Sequence, residues 1–71
     1  MKKVEMIIPV ELEHTVEEVS MGLAVQGFFV VHEGRKIIVG KTESGPPLET
    51  QFSPDSISIL SAKGIQIKVI D

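Results

Sequence analysis

Seventy-one residues with no cysteine, a net charge of −3 and 42% apolar content describe one small domain over residues 1–71. That balance excludes disulfide staples and thiolate metal sites, and the lack of a Lys/Arg cluster argues against a polyanionic partner. With no Trp, no Tyr and only three Phe, the chain also lacks the stacking platform of an RNA-binding sheet, so no nucleic-acid partner is expected.

Lys3 to Ile8 sets Val4, Met6 and Ile8 against Lys3, Glu5 and Ile7, the period of two of a strand that Pro9 then ends. A helix follows. Thr15-Val16-Glu17-Glu18 fits a capping box, and Leu12, Val16, Val19 and Leu23 fall on one apolar stripe. Glu11, Glu13, Glu17 and Glu18 crowd its start, where carboxylates suit the helix dipole. Gly22 weakens the interior or marks close packing on the sheet, and Gly27 reads as a C-cap.

Phe28 to His32 and Lys36 to Lys41 form a hairpin joined through Glu33-Gly34-Arg35. Phe28 and Val30 face one way, Phe29 and Val31 the other; Ile37 and Val39 oppose Ile38 in the same manner. This second strand has no polar face over Phe28–Val31, so both of its sides need cover. Thr42 to Gln51 is a loop centred on Gly45-Pro46-Pro47, with Leu48 and Phe52 pinning its far end. Ser53 as N-cap, Pro54 at the first helical position and Asp55 in the first turn open a second helix. Ile57, Leu60 and Ala62 are its expected buried side, Lys63 lies at its negative end, and Gly64 stops it. Ile65, Ile67 and Val69 then alternate with Gln66 and Lys68 as a last strand.

The order β-α-β-β-α-β, with right-handed crossovers, specifies an α+β ferredoxin-like domain: a four-stranded antiparallel sheet with both helices on one face. The uncovered face would hold some of Ile7, Phe29, Val31, Ile38 and Ile70, depending on register, and Ile7, Phe29, Val31 and Ile38 are the expected oligomer interface. A domain this small buries only about 60% of the surface its unfolded chain exposes, so self-association is also the expected staple. No apolar run reaches the roughly 20 residues of a membrane span, and Glu5, Pro9 and Glu11 interrupt any signal-peptide core after Met1-Lys2-Lys3. A cytoplasmic protein without a membrane partner is expected.

Met1-Lys2-Lys3-Val4-Glu5, Ile7-Ile8-Pro9, Leu12 and Val25-Gln26-Gly27 resemble the opening of PII-type signalling proteins of nitrogen regulation. The resemblance spans about half the chain and implies the same fold with a tendency to trimerise. That family's long partner loop has no counterpart in Glu33-Gly34-Arg35, and nothing after Ile65 matches its Gly-rich phosphate-holding segment. No nucleotide-binding residue carries over.

No catalytic or metal constellation stands out, and no cofactor is expected. Gly40-Lys41-Thr42 resembles the end of a P-loop, but five residues rather than four separate Gly34 from Gly40, and Ile37, Ile38 and Val39 belong to a strand. His14 and Glu18 have i,i+4 spacing but no third ligand, and His32 beside Glu33 is placed to ion-pair. Thr42, Glu43, Ser44 and Gly45 are the candidate ligand-binding residues, because binding groups gather on loops held by a rigid scaffold. The functional expectation is a non-enzymatic regulatory or ligand-binding module acting as a homo-oligomer, dimer or trimer, with any small-molecule ligand between subunits. The alternative is an adaptor whose apolar sheet face holds a different protein. Solution mass separates the two.

Overall fold

The computed structural model describes residues 1–71. In chain order the elements are β1 (Lys3–Ile7), a 3₁₀ segment (Val10–Thr15), α1 (Val16–Val25), β2 (Phe28–Glu33), β3 (Lys36–Lys41), a 3₁₀ turn (Leu48–Thr50), α2 (Pro54–Ala62) and β4 (Gln66–Ile70). The strands form one antiparallel sheet in the order β2-β3-β1-β4, so the ferredoxin-like α+β architecture expected from the sequence is the observed one. β2 and β4 are its edges.

The alternation of apolar residues sets which face is buried. Val4, Ile8, Ile37 and Val39, on the central strands β1 and β3 and just past β1, are wholly buried with Met6 and Phe28 under the helical layer. Val16 and Leu23 on α1 complete that core, and Leu12 and Val19 pack at its border. Leu48 and Phe52 plug it from the long connection after β3, as the sequence indicates. α2 contributes less: Ile57 and Leu60 are half-buried, whereas Ala62, expected on the buried side, is exposed.

The helix ends differ in how well they follow the sequence. Ser53 Oγ accepts from the Ser56 N–H at 3.2 Å, the expected N-cap of α2. At the far end the Gly64 N–H bonds Ser61 O and the Ile65 N–H bonds Leu60 O, a Schellman closure that buries Ile65 beside Leu60. The capping box at Thr15 does not form. Thr15 itself has helical φ/ψ of −93° and −5°, and its hydroxyl donates to Leu12 O at 2.7 Å. The helix is entered through the preceding 3₁₀ segment, which supplies carbonyls where a capping residue would need free space. Gly27 lies one residue beyond the observed C-cap, Gln26.

The hairpin is tighter than three loop residues. Glu33 pairs with Lys36, leaving a two-residue turn of Gly34 and Arg35. Only the first of these has positive φ, +60° at Gly34, which is the requirement of a type II′ turn. Arg35 also ties the hairpin to the centre of the sheet: its carbonyl accepts from the Ile8 N–H at 2.9 Å and its guanidinium donates to Ile8 O at 3.0 Å.

Candidate functional site

Register places twelve residues on the sheet face opposite the helices, in three rows running from β2 to β4. The rows are Phe29, Gly40, Lys3, Ile70; Val31, Ile38, Glu5, Lys68; and Glu33, Lys36, Ile7, Gln66. One corner, Phe29, Val31 and Ile38, is apolar. Phe29 lies beside its cross-strand partner Gly40, where an added Cβ would make ordinary contact with Phe29 Cδ2 at 3.9 Å. Phe29 remains 56% exposed, Val31 48% and Ile7 40%, with Ile38 half-buried between them. All four residues expected to form an interface therefore lie on this one uncovered face.

Charge occupies the rest of it. Glu5 meets Lys36 Nζ at 2.9 Å and faces Lys68 across β4. The Lys36 hydrogen bond is the main reason that the Glu5 carboxyl titrates below its ordinary value of 4.5; the charges of Lys36, Lys68 and Lys3 act in the same direction and partial burial opposes them.

Two of the four loop residues put forward for ligand binding, Thr42 and Gly45, are turned toward the chain itself. The Thr42 hydroxyl donates to Gly27 O at 2.8 Å, and Lys41 Nζ donates to Thr42 O at 2.9 Å and to Gly45 O at 3.0 Å. Gly45 sits so close to the turn after α1 that an added Cβ would fall onto Gly27 O and Thr42 Oγ1. Glu43 and Ser44 are exposed at the tip. Thr42 and Gly45 thus brace the connection against the end of α1, and Gly40-Lys41-Thr42 is the end of a strand whose lysine folds back on its own loop.

The two histidines come together in a way that their sequence positions do not suggest. His14 and His32, with Glu13 and Glu17, border one hollow beside the start of α1. His14 belongs to the 3₁₀ segment, so i,i+4 spacing does not bring it to Glu18, and no three His, Asp or Glu side chains gather at metal-binding distance. The expected His32–Glu33 ion pair is absent, because neighbours on a strand point to opposite faces.

One residue was missed from the sequence. Ser20 is only 6% exposed, and its hydroxyl has no hydrogen-bond partner. It lies with Glu17, Met21 and Ala24 on the flank of α1 that faces Val30 and His32, lining a groove of about 280 Å³ between the helix and the edge strand β2. The signal available was a serine at i+4 from Val16, on a helix otherwise read for its apolar stripe. No helix is long and apolar enough to cross a membrane. No protein-family model, curated protein or solved structure matches the chain.

Proposed function

We propose that this chain is a small non-enzymatic binding module that works as a homo-oligomer and exerts a regulatory or ligand-holding role between its subunits. The observation behind this reading is the uncovered corner of Phe29, Val31 and Ile38 with nearby Ile7, on the sheet face opposite the one that packs the core. Large apolar side chains at such exposure, grouped and rimmed by Glu5, Lys36 and Lys68, are the mark of a surface that meets another protein surface. The resemblance of the first half to PII-type proteins, which share this fold, points to self-assembly in the same sense. The adaptor reading uses the same patch for a different protein.

Replacing Phe29 or Val31 with Lys puts a charge into the covered patch, where an unpaired ion costs several kcal/mol. Both variants should fold, since the two side chains lie outside the core, and light scattering should give a smaller mass than for the unmodified chain. An unchanged mass for both removes the case for a self-covered sheet. An unmodified chain with the mass of one 7.8 kDa molecule favours the adaptor.

A further inference from the structure

The two edges of the sheet are defended unequally. β4 alternates Gln66 and Lys68 with its apolar residues. β2 has Phe28-Phe29-Val30-Val31 in succession, with no proline, no lysine and no break in its register with β3. Long, regular, apolar edges of this kind are templates for another strand.

Hydrogen bonding shows which backbone groups of β2 are free. The Ile8 N–H bonds Arg35 O, so by the alternation of an antiparallel ladder Ile37 and Val39 turn their backbone groups to β1, and Lys36, Ile38 and Gly40 turn theirs to β2. Their partners Phe29, Val31 and Glu33 are therefore satisfied by β3, while the N–H and C=O of Phe28, Val30 and His32 point out of the sheet. No turn, loop or side-chain hydrogen bond reaches those three residues.

We infer that a second copy of this chain pairs with the first along β2, antiparallel about a two-fold axis at Val30, so that two sheets join into one of eight strands. The inference rests on the self-assembly proposed above and adds an edge contact to it: this pairing leaves the Phe29–Val31–Ile38 corner itself open for a contact between faces. With Val30 opposite Val30 of the second copy, Phe28 lies opposite His32 and Phe29 opposite Val31, each side chain beside one on the same face. About six backbone hydrogen bonds form, two for each bonded pair. A one-residue shift would place every side chain against the wrong face. A two-residue shift toward the turn brings Glu33 over Phe29, and the next brings the two His32 together. The uncharged stretch Phe28–Val31 and the single charge at Glu33 thus favour one register for a self-pair.

The charge pattern of the strand supports the same occupant: in this register Glu33, the one carboxylate of β2, falls opposite Gly27 and meets no carboxylate of the second copy. Joining at β2 adds the backbone ladder, makes the two Phe29–Val31–Ile38 corners contiguous, and lays the α1 flanks with Ser20, Met21 and Ala24 alongside each other across the axis. The groove that each chain leaves open beside β2 then lies next to its counterpart, which gives a between-subunit ligand a place away from the Thr42–Gly45 loop.

His32→Pro tests the ladder, because it deletes an outward N–H and leaves every bond to β3 in place. Val30→Cys tests the register: bonded antiparallel pairs stand about 5.5 Å apart at Cα, within disulfide range, and the chain has no other cysteine. The expected results are a mass by light scattering that falls to half or less for His32→Pro with its cooperative melt retained, and a two-chain disulfide species for oxidised Val30→Cys. Ser58→Cys, on the exposed side of α2, should give no such species. If His32→Pro does not fold, the Val30→Cys result decides. An oligomeric chain in which Val30→Cys fails to cross-link and His32→Pro keeps the full mass overturns edge pairing and leaves self-assembly standing. A single-chain mass for the unmodified protein overturns both, and leaves the edge open to a strand from a different protein.

Discussion

Ser53→Ala should lower the melting temperature by about 7 °C. The Ser53 hydroxyl is the only side-chain group that caps the start of α2, where Pro54 has already removed one backbone donor. Alanine leaves the Ser56 N–H without its acceptor, and losses of this kind cost about 1 kcal/mol. Unfolding entropy near 60 °C is about 2.1 cal/mol/K per residue, or roughly 0.15 kcal/mol/K for a chain of this length, so 1 kcal/mol corresponds to about 7 °C. Two further variants give the effect a shape. Ser53→Gly should cost only a few tenths of a kcal/mol, because glycine is itself an acceptable N-cap. Ser56→Ala keeps the capped N–H and loses only the 3.1 Å hydroxyl–hydroxyl bond to Ser53, so its shift should be less than half that of Ser53→Ala. Thermal unfolding followed by circular dichroism measures all three. A costly Ser56→Ala beside a silent Ser53→Ala would refute the reasoning, since the helix would then begin later than Pro54 and its packing of Ile57 and Leu60 on the sheet would need a different origin.

Two glycines should respond in opposite directions. Gly22→Ala adds a Cβ with nothing within 4 Å and should stabilise α1 by up to about 1 kcal/mol, whereas Gly45→Ala drives a Cβ onto Gly27 O and Thr42 Oγ1 and should destabilise by about 1–3 kcal/mol; chemical denaturation reads both. Acid should weaken the fold partly through Glu5. Its carboxyl titrates below 4.5 when folded, so the stabilisation is present above that pH and lost as pH falls through the lower folded value; Glu5→Gln should flatten the stability profile on that acid side, and an unchanged profile would contradict the Lys36 pairing.

What could be read from the sequence was what a period or a local cap determines. Strand alternation put Val4, Met6 and Ile8 on one side and Phe29, Val31 and Ile38 on the other, and those sides are the observed ones because a pleated strand permits no third choice. Ser53-Pro54 announced α2 because its requirements are met within four residues. Thr15 misled for the converse reason. A capping box needs an extended residue before the helix, and the chain from Pro9 was already wound into a 3₁₀ segment, with Leu12 at φ −111° marking the kink. Gly22 likewise proved exposed and free of close neighbours, a fact set by how α1 is rotated on the sheet.

The loop and the edge show the same division on the side of function. Loop composition directed attention to Thr42–Gly45; the fold brings Gly27 within reach of the Thr42 hydroxyl and makes Thr42 and Gly45 a brace, with Glu43 and Ser44 left exposed at the tip. The free N–H and C=O groups of Phe28, Val30 and His32 follow from strand order, which places β3 on one side of β2 and nothing on the other. Ser20 lines the groove beside that edge, and its own hydroxyl is buried without a hydrogen-bond partner. Outward backbone N–H and C=O groups on a regular apolar strand are a template for another strand, whereas Thr42 and Gly45 are already held by their own chain, so the edge, rather than the loop, has the stronger physical reason to be completed by another molecule.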